Sequence, residues 1–332
     1  MTQPDDRPVR WGILATGGIA HAFARDLALQ PGCEVVAVGS RSRASAEAFG
    51  DEFGVPHRHA SYQALADDPD VDAVYVATPH PGHYGTALLA INAGKAVLVE
   101  KPFAMDAAQA RDMIDAARER GTFLMEAMWT RFLPHITRVR EILTAGTLGD
   151  VVYLTAEHGQ WFAADPRFRL FAPDLGGGAL LDLGIYPVSF ASLVLGTPAR
   201  ITAVSDRAFT GVDATTSMIF QYHSGAHAVL TTTLRAASGN PAAIYGTAAR
   251  IEIDGWFYTP TTFRVIARDG TELERFDRPY AGRGLRAQAA EVGRCLRAGL
   301  LESPLMPLDE TYTIMQAMDE VRRQIGLSYP PA

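Results

Sequence analysis

Two groups of residues in this 332-residue chain have the types and the spacing of a proton-transfer site. One is Lys101, which stands between Glu100 and Pro102 at the end of an apolar run. The other is the pair Asp182 and Tyr186, which lie four residues apart and so share one face of a helix. An amine, a carboxylate and a phenol can accept or donate protons in general acid–base catalysis. Taken singly, each group is better explained as a solvated or packed side chain.

A strand buried on both faces is expected to position Lys101. Residues 96–99 are Ala-Val-Leu-Val, and so apolar a run is typical of a strand inside a parallel sheet. Open sheets of this kind bind ligands outside the carboxyl ends of their strands. Lys101 follows such an end, and the proline after it restricts its backbone, so we expect it to meet a bound cofactor.

A glycine-rich turn near the N-terminus indicates a dinucleotide. It follows a predicted strand (9–14), precedes a predicted helix, and consists of Ala15, Thr16, Gly17, Gly18, Ile19 and Ala20. Strand, turn and helix in this order form the context in which a dinucleotide fingerprint is meaningful. Gly17 falls where the backbone approaches the pyrophosphate, and the N–H groups of residues 15–19 are expected to bind it. Ala15 departs from the pattern, which has glycine there.

The residues after the second predicted strand (34–39) favour NADP over NAD. An NAD enzyme carries an acid at this place for the ribose 2′-hydroxyl. Here residues 40–43 are Ser-Arg-Ser-Arg. A carboxylate would repel a 2′-phosphate, whereas the Arg41 guanidinium and the Ser40 hydroxyl would bind one. The alternative is that Arg41 and Arg43 are solvated at the start of the next helix.

Predicted strands and helices alternate up to about residue 128. The strands cover 9–14, 34–39, 57–60, 73–77, 96–100 and 123–126. This alternation predicts an α/β domain with a doubly wound parallel sheet, and we assign residues 1–128 to an NAD(P)-binding Rossmann domain. Thr78, Pro79, His80 and His83 follow the strand 73–77, so we expect them at the cofactor, although both histidines are equally compatible with an ordinary loop.

From residue 129 onward the pattern changes. Strand-like stretches at 151–156, 201–205, 215–222, 226–234, 242–245, 250–253 and 262–267 are joined in part by short turns, which is typical of antiparallel hairpins. Several alternate apolar with polar residues, so one sheet face is core and the other open. We predict, for residues 129–332, an α+β substrate domain that forms a homodimer or higher homo-oligomer through the open face of its mostly antiparallel sheet.

Composition excludes several classes of protein. The chain is 48% hydrophobic and 20% charged, as ordinary globular proteins are, and its net charge of -7 argues against nucleic-acid binding. Two cysteines, Cys33 and Cys295, make no disulfide framework and no cysteine metal cluster, and they suit a reducing cytoplasm. No apolar run of membrane length and no signal peptide is visible. We expect a cytoplasmic chain without a metal, a nucleic-acid partner or a membrane partner.

Four motifs in this order resemble the glucose-fructose oxidoreductase / inositol dehydrogenase (Gfo/Idh/MocA) family over essentially the whole chain. They are residues 11–17 (Trp-Gly-Ile-Leu-Ala-Thr-Gly), 78–80 (Thr-Pro-His), 100–102 (Glu-Lys-Pro) and 176–186. Within the family, residues 125–134 and 182–186 look most like the dimeric dihydrodiol dehydrogenase and D-xylose dehydrogenase branch. Of the segment 125–134, Trp129 and Arg131 are expected at the cofactor, together with Glu100.

The resemblance implies that Lys101, Asp182 and Tyr186 form the catalytic group. Much of the family has histidine at the place of Tyr186, whereas the dihydrodiol branch has tyrosine as its proposed acid and base. The resemblance is also compatible with a cis peptide bond between Lys101 and Pro102, which the sequence itself does not show.

We therefore predict reversible hydride transfer between nicotinamide and a carbinol or carbonyl carbon of a sugar, polyol or trans-dihydrodiol. Tyr186 would exchange the hydroxyl proton, Lys101 would favour its phenolate form, and Asp182 would orient substrate or lysine. Residues preceding the glycine triplet 176–178 are expected to line the substrate pocket, although ordinary packing explains them equally well: Trp161, Phe162, Arg167, Phe168 and Arg169.

Three other functions are compatible with parts of the sequence. A redox-assisted glycosidase or epimerase would keep a tightly bound cofactor that survives desalting. A non-catalytic NAD(P) or sugar sensor would not need Lys101, Asp182 and Tyr186 intact. A scaffolding protein would need neither the glycine turn nor the lysine.

Overall fold

The computed structural model describes residues 7–330, which divide into two units. The first consists of the described residues up to Phe132 together with Ala281–Tyr312. The second consists of Leu133–Tyr280 together with the described residues from Thr313 onward.

The first unit contains a parallel sheet of six strands. Its strands are β1 (Val9–Leu14), β2 (Cys33–Gly39), β3 (His57–His59), β4 (Ala73–Val76), β5 (Ala96–Glu100) and β6 (Leu124–Ala127). They lie in the order β3-β2-β1-β4-β5-β6, and every pair is parallel. The residues of β4 and β5 are all buried, as the apolar run before Lys101 predicted. The predicted doubly wound sheet is confirmed.

Five helices connect these strands: α1 (Gly18–Leu27), α2 (Arg43–Phe53), α3 (Tyr62–Ala66), α4 (His83–Asn92) and α5 (Ala107–Arg120). Side chains cap the N-termini of three of them, since Ser42, Ser61 and Asp106 each accept a hydrogen bond from a backbone N–H in the first turn. Both α2 and α5 end at a glycine in the left-handed conformation.

The first unit also includes residues 281–312, which the sequence analysis placed in the second domain. Helix α8 (Arg286–Arg297) packs against α1. The buried Asp26 carboxylate accepts hydrogen bonds of 2.7 Å from the backbone N–H groups of Arg283, Gly284 and Leu285. These bonds join residues far apart in the chain, so local periodicity carried no sign of them. The chain changes unit three times, after Phe132, Tyr280 and Tyr312, and the predicted boundary at residue 128 lies near the first of these points.

The second unit contains a sheet of eight strands. They are β7 (Val151–Gly159), β8 (Arg200–Arg207), β9 (Asp213–Gln221), β10 (His227–Thr233), β11 (Ala242–Gly246), β12 (Ala249–Ile253), β13 (Phe263–Ala267) and β14 (Glu272–Phe276). Their order is β14-β13-β12-β11-β7-β10-β9-β8, and only the β7–β10 pair is parallel. The predicted mostly antiparallel sheet is confirmed, with β14 as an additional strand.

One face of this sheet is core and the other is open, as the alternation indicated. On β9 and β10, Met218 and Leu230 are buried, whereas their neighbours Ile219 and Val229 are exposed. Helix α7 (Ile185–Leu195) packs against β7 and β10. Two further helices of the fold are α6 (Pro134–Thr144) and α9 (Leu308–Gln324), the latter with residues in both units.

The helical stretch Pro173–Leu195 has the length and the mean hydropathy (1.6) of a membrane span, although no such run was found by inspection of the sequence. Its most apolar window is 78% buried inside the protein. A helix that is apolar on all sides and enclosed by protein is typical of a protein core.

Candidate functional site

The first part of the candidate site lies at the carboxyl edge of the parallel sheet. The glycine turn follows β1, Thr78 follows β4 at a distance of two residues, and Lys101 follows β5. Because β1, β4 and β5 are neighbours in the sheet, these three segments lie at the same edge.

The glycine turn has the shape that its motif requires in spite of Ala15. Ala15 has φ +78°, a left-handed conformation that normally favours glycine, and its N–H donates to Gly39 O at 2.9 Å. A Cβ built on Gly17 or Gly18 would meet no described atom within 4 Å. The turn therefore leaves open space beside its backbone at the start of α1, which fits a pyrophosphate bound by the N–H groups of that helix.

The segment after β2 can accept an anion. Ser40 is buried at the strand end, Arg41 is exposed, and Ser42 caps α2. The first turn of α2 contains no acidic residue. An exposed guanidinium before a helix whose first turn contains no acid is a suitable environment for a phosphate.

Hydrogen bonds orient Glu100 and Lys101 at the end of β5. Tyr75 donates its hydroxyl hydrogen to the Glu100 carboxylate, and the Lys101 N–H donates to Glu100 Oε2 at 3.2 Å. The Lys101–Pro102 peptide bond is cis, which answers the question that the resemblance left open.

His83 connects the loops that follow β4 and β5. Its Nδ1 lies 2.8 Å from Pro102 O, and its Nε2 lies 2.8 Å from Thr78 O. Burial, and then the positive charge of His80, lower its pKa to about 3, so the ring is neutral and donates to one carbonyl at a time. Both nitrogens face backbone, so we infer that His83 positions the loops; its predicted contact with the cofactor stays a prediction.

Trp129 and Arg131 are buried in a short turn after β6 (Trp129–Phe132). Arg131 Nη2 lies 2.7 Å from Glu310 Oε1. Nearby, burial raises the pKa of Glu126 to about 7, although the positive charge of Arg131 lowers it in part. The roles of Trp129 and Arg131 at a cofactor remain predictions, as do those of Pro79, His80 and Glu100.

The second part of the candidate site is the helical segment with Asp182 and Tyr186. A π-helical turn (Leu180–Gly184) contains Asp182 and leads directly into α7, which contains Tyr186. Both side chains are buried. Arg169 binds the Asp182 carboxylate with two parallel hydrogen bonds, Nη1–Oδ1 at 3.1 Å and Nη2–Oδ2 at 3.0 Å. A two-point pair of this kind fixes the orientation of the carboxylate.

The glycine triplet places this segment against its own chain. A Cβ on Gly177 would lie 2.8–2.9 Å from the carbonyl oxygens of Arg169, Leu170 and Ala172. At Gly177 the group that approaches closely is therefore backbone. Gly177 is therefore the residue that lets the loop of Arg169 come close to Asp182.

Asp213 holds the start of the same segment. Its buried Oδ2 accepts hydrogen bonds of 2.8 Å from Leu180 N–H and from the Thr216 hydroxyl. Burial raises the pKa of Asp213 to about 6. A Cβ on Gly178 would lie 2.1 Å from Asp213 Oδ1, so this position also requires glycine.

Aromatic rings surround Tyr186, and the sequence analysis did not find them. The His158 ring lies 5.1 Å from the Tyr186 ring, and the Tyr258 ring lies 4.9 Å from it. His158 and Tyr258 are themselves stacked at 3.9 Å, and Gln160 Nε2 lies 2.8 Å from His158 Nε2. A buried histidine at the end of β7 was the only local sign of this cluster.

Trp256 was also missed. It is exposed and adopts φ +61°, a conformation rare outside glycine, and its ring lies 5.9 Å from that of Tyr258. Backbone strain of this kind is concentrated at functional sites.

The five residues predicted to line a substrate pocket separate into three groups. Arg169 binds Asp182, as described. Phe162 and Phe168 are in contact at 5.3 Å between ring centroids, and Phe162 packs on the core cluster that contains Phe171. Trp161 and Arg167 are exposed, with Arg167 Nε 3.1 Å from Asp165.

The structure thus brings Asp182, Tyr186 and Arg169 together in the second unit, whereas Lys101 belongs to the first.

Two family models match the chain. The model of the oxidoreductase family with an NAD-binding Rossmann fold (GFO_IDH_MocA) matches residues 9–128, and the GFO/IDH/MocA C-terminal domain matches residues 136–252.

Several curated relatives are similar over nearly the full length of the chain. Trans-1,2-dihydrobenzene-1,2-diol dehydrogenase of Bos taurus is 39% identical over 335 residues, which cover 97% of this chain and 98% of the relative. The protein of the same name from Homo sapiens is 38% identical over 334 residues, with the same coverage.

Solved structures with the same fold include an oxidoreductase and a ketoreductase. Aldose-aldose oxidoreductase from Caulobacter crescentus, complexed with glycerol, has a TM-score of 0.87 at 28% identity and covers 96% of this chain and 97% of its own. KijD10, a 3-ketoreductase from Actinomadura kijaniata in complex with NADP and TDP-benzene, has a TM-score of 0.84 at 28% identity, with 96% and 98% covered.

Proposed function

The chain belongs to the Gfo/Idh/MocA oxidoreductase family, and we propose that it transfers a hydride between NADP and a carbinol or carbonyl carbon of a sugar, polyol or trans-dihydrodiol. The family and its relatives make it a dehydrogenase or reductase acting on CH–OH groups. The observation that carries the proposal is Tyr186, a buried phenol one helical turn after an Asp182 carboxylate that Arg169 holds in place.

We propose that Tyr186 is the proton donor and acceptor. Bound NADP would supply the hydride chemistry at its nicotinamide. A phenol has an ordinary pKa near 10, so a nearby cation must favour its phenolate form, and Lys101 is the proposed cation. The negative charge of Asp182 would oppose the phenolate, but its pair with Arg169 offsets that charge. Asp182 can then orient a substrate hydroxyl without disfavouring the base.

The rings around Tyr186 support a substrate with a flat apolar face and neighbouring hydroxyl groups. His158 and Tyr258 are buried and stacked on each other, so the exposed Trp256 beside Tyr258 offers the π face on which a sugar ring or a dihydrodiol ring can lie. Both substrate classes carry vicinal hydroxyls, and both occur among the names of the relatives, as a dihydrobenzenediol and as aldoses. We propose that the remaining predicted residues Trp161, Phe162, Arg167 and Phe168 contribute to specificity around this group.

The test is a screen for NADPH formation with aldoses, inositols and trans-dihydrodiols, and for NADPH consumption with keto-sugars. We expect turnover with at least one of these classes that requires added NADP. Cofactor that survives desalting, combined with turnover in its absence, would indicate the redox-assisted glycosidase or epimerase. Cofactor and sugar binding without any turnover would indicate the sensor.

We propose that Arg41 and Ser40 select NADP over NAD. Replacing Arg41 by Asp removes a phosphate partner and adds repulsion, and each effect is worth roughly 1–3 kcal/mol for a charge-assisted contact. Titration of both cofactors should show NADP affinity falling at least tenfold in Arg41→Asp, with NAD affinity little changed. Arg43→Asp is the control, because Arg43 is bound to Arg58 O at 3.2 Å and should affect NADP less. Equal affinity of the wild type for NAD and NADP would contradict the assignment.

We propose that the open face of the second unit's sheet forms a homodimer. Tyr153, Val204, Ile219 and Val229 are exposed on it, and Tyr153 stacks on Tyr245 at 4.3 Å. Exposed apolar side chains on adjacent strands are typical of an interface. Sedimentation at micromolar concentration should give twice 35.8 kDa, and Val229→Asp should reduce the mass to that of one chain. A wild-type monomer would remove this proposal.

We also propose a cytoplasmic location. Cys33 and Cys295 are both free thiols, and Cys295 is buried. Fractionation of cells that express the full chain would test the location.

A further inference from the structure

Three side chains at the outer edge of the first unit's sheet lie close enough to bind one metal ion. His57 and His59 alternate on the edge strand β3 and project to the same side, and Asp68 follows α3. His57 Nδ1 lies 2.7 Å and His59 Nε2 lies 2.9 Å from the same oxygen, Asp68 Oδ2. The three ligand atoms all lie within 4.8 Å of one another.

These groups are the ligands that zinc and related ions prefer. Two imidazole nitrogens and one carboxylate oxygen form the three-ligand set of open zinc sites, in which water takes the fourth position. Bonds of about 2.0–2.2 Å around a tetrahedral ion separate neighbouring ligand atoms by roughly 3.3 Å. Small rotations of the two imidazole rings would bring the present distances to that value.

The charge at the cluster suits a cation. Asp68 brings a carboxylate whose side chain is only 4% exposed and whose Oδ2 atom is in contact with both histidines. The Oδ1 atom accepts the Asp70 N–H at 2.9 Å, which holds the carboxylate in place.

Access and outer contacts also fit. The side chains of His57 and His59 are 37% and 23% exposed, so an ion can enter and keep a water ligand. His57 Nε2 lies 3.9 Å from Asp70 Oδ2. When Nδ1 binds a metal, the ring proton moves to Nε2, where a carboxylate is the usual partner.

We propose that His57, His59 and Asp68 bind one divalent ion of the zinc class. The sequence analysis expected no metal, and this proposal departs from that expectation. The ion would also fix the strand beside Ser40, because the Ser40 N–H donates to His59 O at 3.1 Å. Metal binding would thereby stabilise the end of β2, independently of the oxidoreductase activity.

The experiment titrates Zn²⁺ into metal-free full-length protein in competition with a zinc-binding dye, and uses Co²⁺ absorption to report tetrahedral coordination. We expect one Zn²⁺ per chain and a rise in Tm with zinc, because a ligand that binds the folded state stabilises it. Mg²⁺ should not compete, since it prefers octahedral oxygen sites.

The variants His57→Gln and His59→Gln should each weaken zinc binding at least tenfold, and the double variant should abolish the Co²⁺ spectrum. His227→Gln is the matched control, since His227 is an exposed strand histidine of the second unit. Unchanged zinc affinity in the double variant, or no stoichiometric binding by a wild type that melts cooperatively, would overturn the proposal. The cluster would then be only a hydrogen-bonded connection between β3 and the loop of Asp68.

Discussion

The two units differ in how their parts of the site are built. In the first, each segment expected to hold the cofactor follows a strand of one parallel sheet. In the second, Asp182 and Tyr186 depend on Arg169, Asp213 and His158, which come from other elements. Segments that follow the strands of one sheet can be predicted from local periodicity. Contacts between side chains of distant elements depend on long-range packing, which local periodicity does not predict.

Two glycines show this difference directly. Gly17 has open space where a side chain would begin, whereas Gly177 is enclosed by three carbonyl oxygens. The first leaves room for the proposed cofactor, and the second allows the chain to pack on itself.

The largest effect is expected at Gly177. In Gly177→Ala the new methyl group must displace three backbone oxygens at 2.8–2.9 Å, which we expect to cost about 3–5 kcal/mol of unfolding free energy. Activity should fall as well, because the loop that carries Arg169 must move. Thermal and urea unfolding measure the loss. A variant as stable as the wild type would show that the loop adapts freely.

The next effect concerns Glu126, a buried acid of the first unit whose pKa is raised from its usual value near 4.5 to about 7. The folded state binds this proton more tightly than the unfolded state, so its contribution to stability is complete below pH 4.5 and is lost as pH rises through 7. The loss amounts to about 3 kcal/mol.

Glu126→Gln stays neutral at every pH, so it should be about as stable as the wild type near pH 5 and more stable at pH 8. Unfolding of both proteins across this range is the measurement. Glu34→Gln is the control, because Glu34 is exposed on β2 and should not change the pH dependence. A difference between Glu126→Gln and wild type that does not vary with pH would contradict the explanation.

The smallest effect on stability, but a specific one on binding, is expected at Gly17. Gly17→Ala meets no described atom and needs no unusual backbone angle, so Tm should change by no more than about two degrees. The methyl group would occupy the space for the pyrophosphate, so NADP affinity should fall at least tenfold. Gly85→Ala on the exposed side of α4 is equally open and should leave affinity unchanged. Equal NADP affinity in wild type and Gly17→Ala would move the cofactor away from this turn.

The sequence predicted much more of the first unit than of the second. Alternation placed the segments 15–19, 40–41, 78–83 and 100–101 at the ends of predicted strands and predicted a parallel sheet, but it did not give the strand order. The joining of residues 281–312 to the first unit could not be predicted, because it depends on Asp26 binding backbone N–H groups far along the chain.

In the second unit, spacing placed Asp182 and Tyr186 on one helical face, but it did not reveal their partners. Arg169 was predicted to line the substrate pocket, but its pair with Asp182 was not predicted. That pair depends on the close approach of backbone at Gly177, which local sequence patterns do not show. The rings of His158 and Tyr258 meet Tyr186 through strand pairing and packing, which local periodicity does not encode.

The measurement that tests the central claim most directly is the turnover of Tyr186→Phe on a substrate identified in the screen. The substitution keeps the ring that packs against His158 and Tyr258 and removes only the oxygen. Tyr258→Phe is the matched control for loss of a phenol in the same cluster. Since general acid–base catalysis contributes about 10²–10⁴-fold, kcat of Tyr186→Phe should fall by that factor, with NADP affinity nearly unchanged and a much smaller loss in the control. Near-normal turnover by Tyr186→Phe would contradict the account.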